Sequence, residues 1–198
     1  SMYCQPAVLK QIKSGGKRAL GELRSVTVIF VNLTAPFKEY QLPDLQVAIF
    51  KMQETIYKLQ GTVRQFMIDD KGSVFIAGFG LPPAHENDAI RAVEAALEIH
   101  SLLQGLKIPC SIGVTTGKAF CGDVGSTGRR EYAMVGDIVN LSARLMVAAK
   151  QGILTDQDTY EAAKTSKGLS FQGLSPIKVK GKVNPINIFI PSKNKQKT

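Results

Sequence analysis

Residues 25–33, SVTVIFVNL, constrain the fold more than any other stretch of the chain. An uninterrupted run of β-branched and aromatic side chains is typical of a strand that is buried on both faces. We therefore predict a strand in the middle of a sheet. The chain has 198 residues, of which 44% are hydrophobic, enough for one medium-sized domain with a sizeable core.

The residues after this strand predict two helices and a hairpin. Residues 42–61 and 85–106 both space their apolar side chains three and four positions apart, which is typical of amphipathic helices. Residues 62–80 alternate in the manner of two strands around a turn at 69–72. The predicted order so far is strand, helix, hairpin, helix.

Residues 108–125, IPCSIGVTTGKAFCGDVG, predict a strand, a glycine-rich turn and a second strand. The segment GVTTGK (113–118) resembles a phosphate-binding loop. It is one residue short between its glycines, however, and Ala119 stands where a metal-binding Ser or Thr belongs. We interpret this segment as a hairpin turn.

The last part of the chain predicts a third helix after Gly136, a short strand near 153–155, and a pair of strands around 178–182 and 186–190. With the earlier elements this gives the order β-α-β-β-α-β with additional C-terminal strands. That order is typical of a ferredoxin-like α+β sandwich, which is the fold class we predict.

The net charge of +9 is concentrated at the two ends. Residues 25–192 hold 17 basic and 15 acidic side chains, whereas 1–24 hold five basic and one acidic. We interpret 1–24 as a basic flank that begins with a tag remnant, 25–190 as the folded domain, and 191–198 as a basic tail. Only the flanks favour a nucleic-acid partner, so we predict none.

Cysteine usage and hydropathy bear on the cellular setting. The three cysteines, Cys4, Cys110 and Cys121, form an odd set without CxxC spacing, which favours a reducing, cytoplasmic location. No run approaches the ~18 apolar residues that a transmembrane helix requires. We therefore expect no transmembrane segment.

The segment EYAMVGDIVNLSARL (131–145) places Asn140 and Arg144 four residues apart. On a helix these two side chains share one face, while most of their neighbours are apolar. A late cluster of lysines follows at Lys178, Lys180 and Lys182. Together these groups suit a nucleoside triphosphate: a guanidinium for phosphate oxygens, an ammonium for the phosphate tail and a carboxamide for the sugar.

The same residues carry a family resemblance. Residues 131–144 resemble the signature EYxxxGxxVNxAxR of class III nucleotidyl cyclase homology domains, and CGDVGSTGRREY (121–132) resembles the glycine-rich hairpin before it. Three further segments match the family's first strand, central hairpin and closing segment: VTVIFVNL, GTVRQFMIDDKGSVFIAGFG and VKGKVNPINIF. The resemblance covers residues 25–190. It is most specific for the second cyclase domain of the bicarbonate-regulated soluble adenylyl cyclases, and it implies the class III cyclase fold.

The resemblance also implies a division of labour between paired domains. These cyclases work as head-to-tail pairs, in which one half holds two Mg²⁺ or Mn²⁺ ions through two aspartates and the other half orients the nucleotide. By this resemblance Arg144 stabilises charge on the α-phosphate and Asn140 orients the ribose. Lys180, or failing it Lys182, binds the triphosphate tail.

Several positions depart from the family pattern. Asn32 stands where a metal-binding half has Asp, and a neutral amide is a poor ligand for Mg²⁺. Asp69 or Asp70 is a weak candidate for the second metal position. In the base-recognition pair, Gln65 replaces the usual Lys and Ala133 the usual Asp or Thr. Gln65 can still bond an adenine edge but Ala133 cannot, which weakens purine recognition.

Two hypotheses follow. The first is the substrate-orienting half of an adenylyl cyclase, which forms 3′,5′-cyclic AMP and pyrophosphate from ATP when paired with a carboxylate-bearing domain of the same chain or of a second copy. The second is an inactive cyclase-homology domain with a regulatory or dimerisation role. Asn140 and Arg144 favour the first, and Gln65 and Ala133 the second. A sheet with helices on one side also leaves the other side to be covered, which favours pairing in either case.

Overall fold

The computed structural model describes residues 21–34, 41–69, 72–81, 84–125 and 130–194. These residues form eight strands and four helices. The strands are β1 (Glu22–Leu33), β2 (Thr62–Asp69), β3 (Gly72–Phe79), β4 (Cys110–Gly125), β5 (Arg130–Val135), β6 (Ile153–Asp156), β7 (Leu169–Ile177) and β8 (Ile186–Lys193). The helices are α1 (Leu42–Lys58), α2 (Asp88–Gly105), α3 (Asp137–Ala148) and α4 (Gln157–Ala163).

All eight strands belong to one sheet, in the order β2-β3-β1-β4-β6-β8-β7, with β5 paired to the end of β4. The predicted α+β class is confirmed. So are the first strand, the helices near 42–61 and 85–106, the hairpin between them and the short strand near 153–155. The proposed boundaries at 24 and 190 stay a prediction, since residues 1–20 and 195–198 lie outside the described part of the chain.

The central strand β1 is buried on both faces, as predicted. Ile29, Val31 and Leu33 pack into the cluster formed with α1 and α2, while Val26 and Val28 pack on the opposite face with side chains of α3. All five are at most 1% exposed. Because successive side chains of a strand point to opposite faces, β1 contributes to two separate cores.

Helix α3 lies directly on the backbone of β4. Ser142 Oγ lies 2.9 Å from Gly113 O and 3.1 Å from Val28 O and donates its proton to these carbonyls, while Thr115 Oγ1 donates to Ile138 O at 2.8 Å. A Cβ added at Gly113 would come within 2.1 Å of Ser142 O. The expectation that helices cover one side of the sheet is therefore wrong: α3 covers part of the other side.

The expected turn at 113–118 does not exist. These residues pair continuously with β1, from Gly113 opposite Phe30 to Lys118 opposite Ser25, and β4 continues through 121–125. Gly113 and Gly117 make room for α3, since a Cβ at Gly117 would lie 2.7 Å from the Ile138 side chain. The glycines of a strand mark a close approach of the helix here, not a change of chain direction.

The C-terminal region differs from the prediction in two places. The strand expected around 178–182 ends earlier, because β7 covers Leu169–Ile177 and the lysine-rich residues form the connection to β8. Helix α4 was not predicted; it is only seven residues long and begins at a buried cap, Asp156. Short elements of this kind depend on tertiary contacts more than on local pattern.

Asp156 is 5% exposed and forms a buried hydrogen-bond network with threonine hydroxyls at the start of α4. Its Oδ1 accepts hydrogen bonds from the backbone N of Thr159 at 3.0 Å and from Thr159 Oγ1 at 2.6 Å, and Thr159 Oγ1 lies 2.9 Å from Thr116 Oγ1. Burial raises the pKa of Asp156 to about 6, against the opposing effect of the bonds from Thr159. The folded state therefore favours the neutral carboxyl more than the unfolded state does.

This shift predicts a pH dependence of stability. Because the folded pKa of Asp156 lies above its ordinary value of 3.8, the group's contribution to the free energy of unfolding should increase as pH falls from 7 to 4, by ~3 kcal/mol at most. The Asp156→Asn variant keeps the cap acceptor and does not titrate. Urea unfolding of both proteins across this range measures the difference, and a difference independent of pH would contradict the shift.

The close packing of α3 on β4 predicts that substituting alanine for two different glycines will change the free energy of unfolding by different amounts. Gly113→Ala should lower the free energy of unfolding by about 1–3 kcal/mol, because the added methyl group overlaps the helix backbone. Gly173→Ala, on β7, is the matched control, since its Cβ would meet only the Phe189 ring at 3.7 Å. Urea unfolding at one pH compares the two variants. Equal losses in the free energy of unfolding would show that α3 can move to make room for the added methyl group.

Candidate active site

Helix α3 carries the two polar residues singled out in the sequence. It begins at Asp137, directly after Gly136, as predicted, and Leu141 and Leu145 attach it to the C-terminal part of the sheet. Asn140 is exposed, and Arg144 is half-buried one turn further along the helix. Both groups therefore project from a helix whose apolar side packs against the sheet.

A tight turn lies against Arg144. The backbone N of Lys182 donates to Val179 O at 3.2 Å, and Gly181 has φ of +79°, both features of a type II β-turn with glycine at its third position. A Cβ at Gly181 would lie 3.1 Å from Arg144 Nη2. The guanidinium is therefore packed on the backbone of this turn, and a side chain at position 181 would displace it.

Arg144 holds an unused donor. Its Nη1 is buried and has no hydrogen-bond partner among the described residues. An unsatisfied buried donor costs about 1–3 kcal/mol, and more when it is charged. Such a group is stabilised by an anionic acceptor, and phosphate oxygens are acceptors of that kind.

The structure separates the two candidate lysines. Lys182 Nζ forms an ion pair with Asp137, the first residue of α3, and donates a hydrogen bond to its carboxylate. Lys180, at the second position of the turn, is exposed, as is Lys178 before it. The lysines thus lie beside Arg144, but they differ in their surroundings.

The two candidate base-recognition residues are linked through their neighbours. Gln65 is exposed on β2 and follows a bulge, because the pairing with β3 shifts between Val63 and Gln65. The bulged residue, Arg64, donates to Tyr132 O, and its guanidinium carbon lies 5.8 Å from the centroid of the Tyr132 ring. Tyr132 directly precedes the half-buried Ala133, so the Arg64 contact joins the two strands that carry the pair.

Burial favours the protonated forms of Tyr132 and of the two cysteines of β4. Burial raises the pKa of Tyr132 above its usual range, assisted by Cys121 and opposed by Arg24. Burial also raises the pKa of Cys121, and it raises the pKa of Cys110 to about 12. Both thiols are free and buried, so neither offers a reactive thiolate.

Asn32 is the predicted metal position whose side chain the structure describes. Asn32 lies near the end of β1 between Val74 and Ser111, and its buried Oδ1 has no hydrogen-bond partner in the described part of the chain. No group of three or more His, Cys, Asp or Glu side chains in the described ranges could hold a metal. Asp70 and the side chain of Asp69 lie outside those ranges. One neutral amide oxygen does not fit two divalent ions.

Three residues of the site were missed in the sequence. The K-G-K pattern is a turn signal that could have located Gly181 at its third position. Asp137 and Arg64 carry no local signal, because their partners Lys182 and Tyr132 lie 45 and 68 residues away in the chain. Contacts of that range appear only in the folded structure.

A family model and a curated relative match most of this chain. Residues 20–192 match the family model of the adenylate and guanylate cyclase catalytic domain. Adenylate cyclase type 10 of Rattus norvegicus, a soluble adenylyl cyclase, is 34% identical over 196 residues, which is 94% of this chain. The chain spans 12% of the length of that relative. No helix in the described ranges is long and apolar enough to cross a membrane.

Solved structures share the fold. The adenylyl cyclase CyaB from P. aeruginosa superposes with a TM-score of 0.80 at 22% identity, covering 89% of this chain and 98% of that one. The guanylate cyclase domain of RhGC from Catenaria anguillulae, solved in complex with GTP, gives a TM-score of 0.75 at 23% identity, covering 88% and 100%. With a family match over most of its length, the chain belongs to the class III adenylate and guanylate cyclase catalytic domains.

Proposed function

We propose that this domain is the substrate-orienting half of an adenylyl cyclase, which forms 3′,5′-cyclic AMP and pyrophosphate from ATP when paired with a carboxylate-bearing cyclase domain. The observation that carries the proposal is the buried Nη1 of Arg144, which has no hydrogen-bond partner among the described residues; its guanidinium lies one helical turn from Asn140 and against a lysine-bearing turn. The similarity to adenylate cyclase type 10 supports adenine over guanine.

The chemistry assigned to these residues is an in-line displacement. The ribose 3′-oxygen loses its proton to solvent water and bonds to the α-phosphorus, while the bond from that phosphorus to the bridging oxygen breaks and pyrophosphate leaves with the electron pair. Arg144 neutralises the charge on the α-phosphate oxygens in the transition state, and Asn140 orients the ribose by hydrogen bonding. Lys180 binds the triphosphate tail as a compact positive charge.

We assign the two divalent ions, Mg²⁺ or Mn²⁺, to the partner domain. The single neutral amide that Asn32 offers in place of a carboxylate supports this assignment, and it also explains why the domain alone should be nearly inactive. When bound, the ions acidify the 3′-hydroxyl and stabilise the leaving pyrophosphate. This chain contributes the groups that hold and orient the nucleotide.

An exposed apolar surface supports pairing. Leu23 is opposite Phe120, and Phe120 is in turn opposite Val135 in the register of neighbouring strands, with Val124 further along β4. Their exposed fractions run from 38% for Phe120 to 73% for Leu23. A contiguous apolar surface of this kind is typical of a protein interface. We propose that a second cyclase domain covers it in head-to-tail pairing.

Purine recognition is the weakest part of the proposed site. Gln65 can donate to and accept from an adenine edge, whereas the methyl group of Ala133 offers no hydrogen bond. We propose ATP as the substrate with modest discrimination against GTP. A cytoplasmic location suits both the substrate and the free thiols of Cys110 and Cys121.

Mixing the domain with a two-aspartate cyclase domain tests the proposal. We expect labelled ATP to yield cyclic AMP only in the mixture, and the Arg144→Ala variant to reduce kcat by about 10²–10³, as expected for loss of a transition-state donor. Conversion is measured by product separation. Size-exclusion chromatography confirms that the wild type and the variant form the same complex.

Two outcomes would contradict this function. Robust turnover by the isolated domain with Mg²⁺ would show that it does not depend on a carboxylate-bearing partner. No turnover in a verified complex would favour the regulatory alternative, in which the domain binds a partner without catalysis. Nucleotide binding by the isolated domain, measured by calorimetry, would then be the deciding property.

A further inference from the structure

We infer that Asp137 and Lys182 are positioning residues: their ion pair fastens the turn 179–182 to the start of α3, and Lys182 is therefore not a phosphate ligand. The inference deepens the proposed function and rests on nucleotide binding at Arg144. The family resemblance implies Lys180, or failing it Lys182, as the lysine that binds the triphosphate tail; the inference keeps Lys180 in that role and gives Lys182 a different one.

The turn is attached to α3 at two separate points. Val179, its first residue, packs in the apolar cluster that contains Leu141 and Leu145 of α3. Lys182, its last residue, is paired with Asp137 at the beginning of the same helix. A segment fixed at both ends to one helix moves with that helix, so the turn and α3 form a single unit.

The position of Asp137 favours a lasting ion pair. A carboxylate in the first turn of a helix interacts favourably with the partial positive charge of the helix N-terminus. Asp137 is 63% exposed and Lys182 29%, so the pair is screened by solvent and its contribution is modest. A modest fastening is sufficient, because the turn has only to be held in place and the fold does not depend on it.

Arg144 makes the position of the turn matter. The guanidinium lies against Gly181, with Nη2 3.1 Å, Nη1 3.5 Å and Cζ 3.6 Å from the point where a Cβ would stand. Because Gly181 bounds the guanidinium on one side, a displaced turn would leave Arg144 free to change its orientation. The ion pair thus acts on catalysis through Arg144, which makes Asp137 and Lys182 positioning residues.

The charges around the turn support the same roles for Lys180 and Lys182. A lone carboxylate at the start of α3 would repel a polyphosphate, and pairing with Lys182 neutralises it. If a phosphate captured Lys182, Asp137 would be left unpaired beside the bound anion. Lys180 is exposed on the same turn and can bind phosphate without breaking any contact that holds the turn.

Steady-state kinetics of the paired complex test the inference. Asp137→Asn and Lys182→Met should each lower kcat about two- to fivefold with little change in KM, as expected for a screened ion pair that acts only through the orientation of Arg144. Lys180→Ala should instead raise KM for ATP about tenfold or more, because it removes a charge-assisted phosphate contact. Glu98→Gln, which removes an exposed ion pair with Lys58 between α1 and α2, is the matched control and should change neither constant.

Charge reversal separates positioning from phosphate binding. The double variant Asp137→Lys with Lys182→Asp restores an ion pair of opposite polarity and should recover at least half of the lost kcat. If Lys182 bound phosphate, the double variant would be the least active of all, since it places a carboxylate next to the triphosphate. If the ion pair blocked the site, Asp137→Asn would raise activity. Either of these two results would overturn the inference.

Hydrogen exchange gives a measure that does not depend on turnover. In the isolated domain, amides of 178–185 should exchange faster in Asp137→Asn and Lys182→Met than in the wild type, and the rate should fall again in the double reversal. Unchanged exchange rates in the single variants would show that the ion pair does not hold the turn against α3. Should the wild-type complex prove inactive, the proposed function would fail on its own, while exchange would still decide whether the pair holds the turn.

Discussion

The contact between α3 and the backbone of β4 is the constraint on which the site depends. Gly113 leaves no room for a side chain beneath the helix, Ser142 bonds to two strand carbonyls, and Thr115 bonds to the carbonyl of Ile138 near the helix start. Backbone atoms and short hydroxyl side chains allow much less movement than a layer of large side chains would. These contacts fix the distance of α3 from the sheet and its rotation about its own axis. They therefore also fix where the backbone positions of Asn140 and Arg144 lie.

The two faces of the sheet serve different purposes. One face packs against α1 and α2 in a large apolar cluster, which supplies most of the buried surface. The other carries α3 with its polar residues, whereas the exposed side chains of Phe120 and Val135 lie, by strand alternation, on the α1 and α2 side of the sheet. In the proposed function this chain supplies the nucleotide-orienting groups of a shared site, and Asn32, which stands where a metal ligand belongs, supports that division.

Local sequence pattern predicted some elements correctly and others wrongly. The buried strand at 25–33 and the spacing of Asn140 and Arg144 follow from periodicity, which depends only on nearby residues. GVTTGK was misassigned because glycines in a turn and glycines beneath a helix look the same in one dimension, and only the pairing with β1 distinguishes them. The pairing of Asp137 with Lys182 could not be predicted either, because the two residues lie 45 positions apart with β6, α4 and β7 between them.

A carboxylate beside a triphosphate site weakens the attraction of that site for its ligand. The presence of Asp137 there is understandable if orientation matters more than affinity. Uniformly tight binding of substrate and transition state lowers KM without accelerating the reaction, whereas a donor held where charge develops lowers the barrier itself. Arg144 is such a donor in the proposed site, and its unsatisfied Nη1 is already desolvated before a phosphate arrives. Because the turn that supports it is held by Asp137 through Lys182, the loss of one favourable charge is offset by a guanidinium whose position is limited on one side by Gly181.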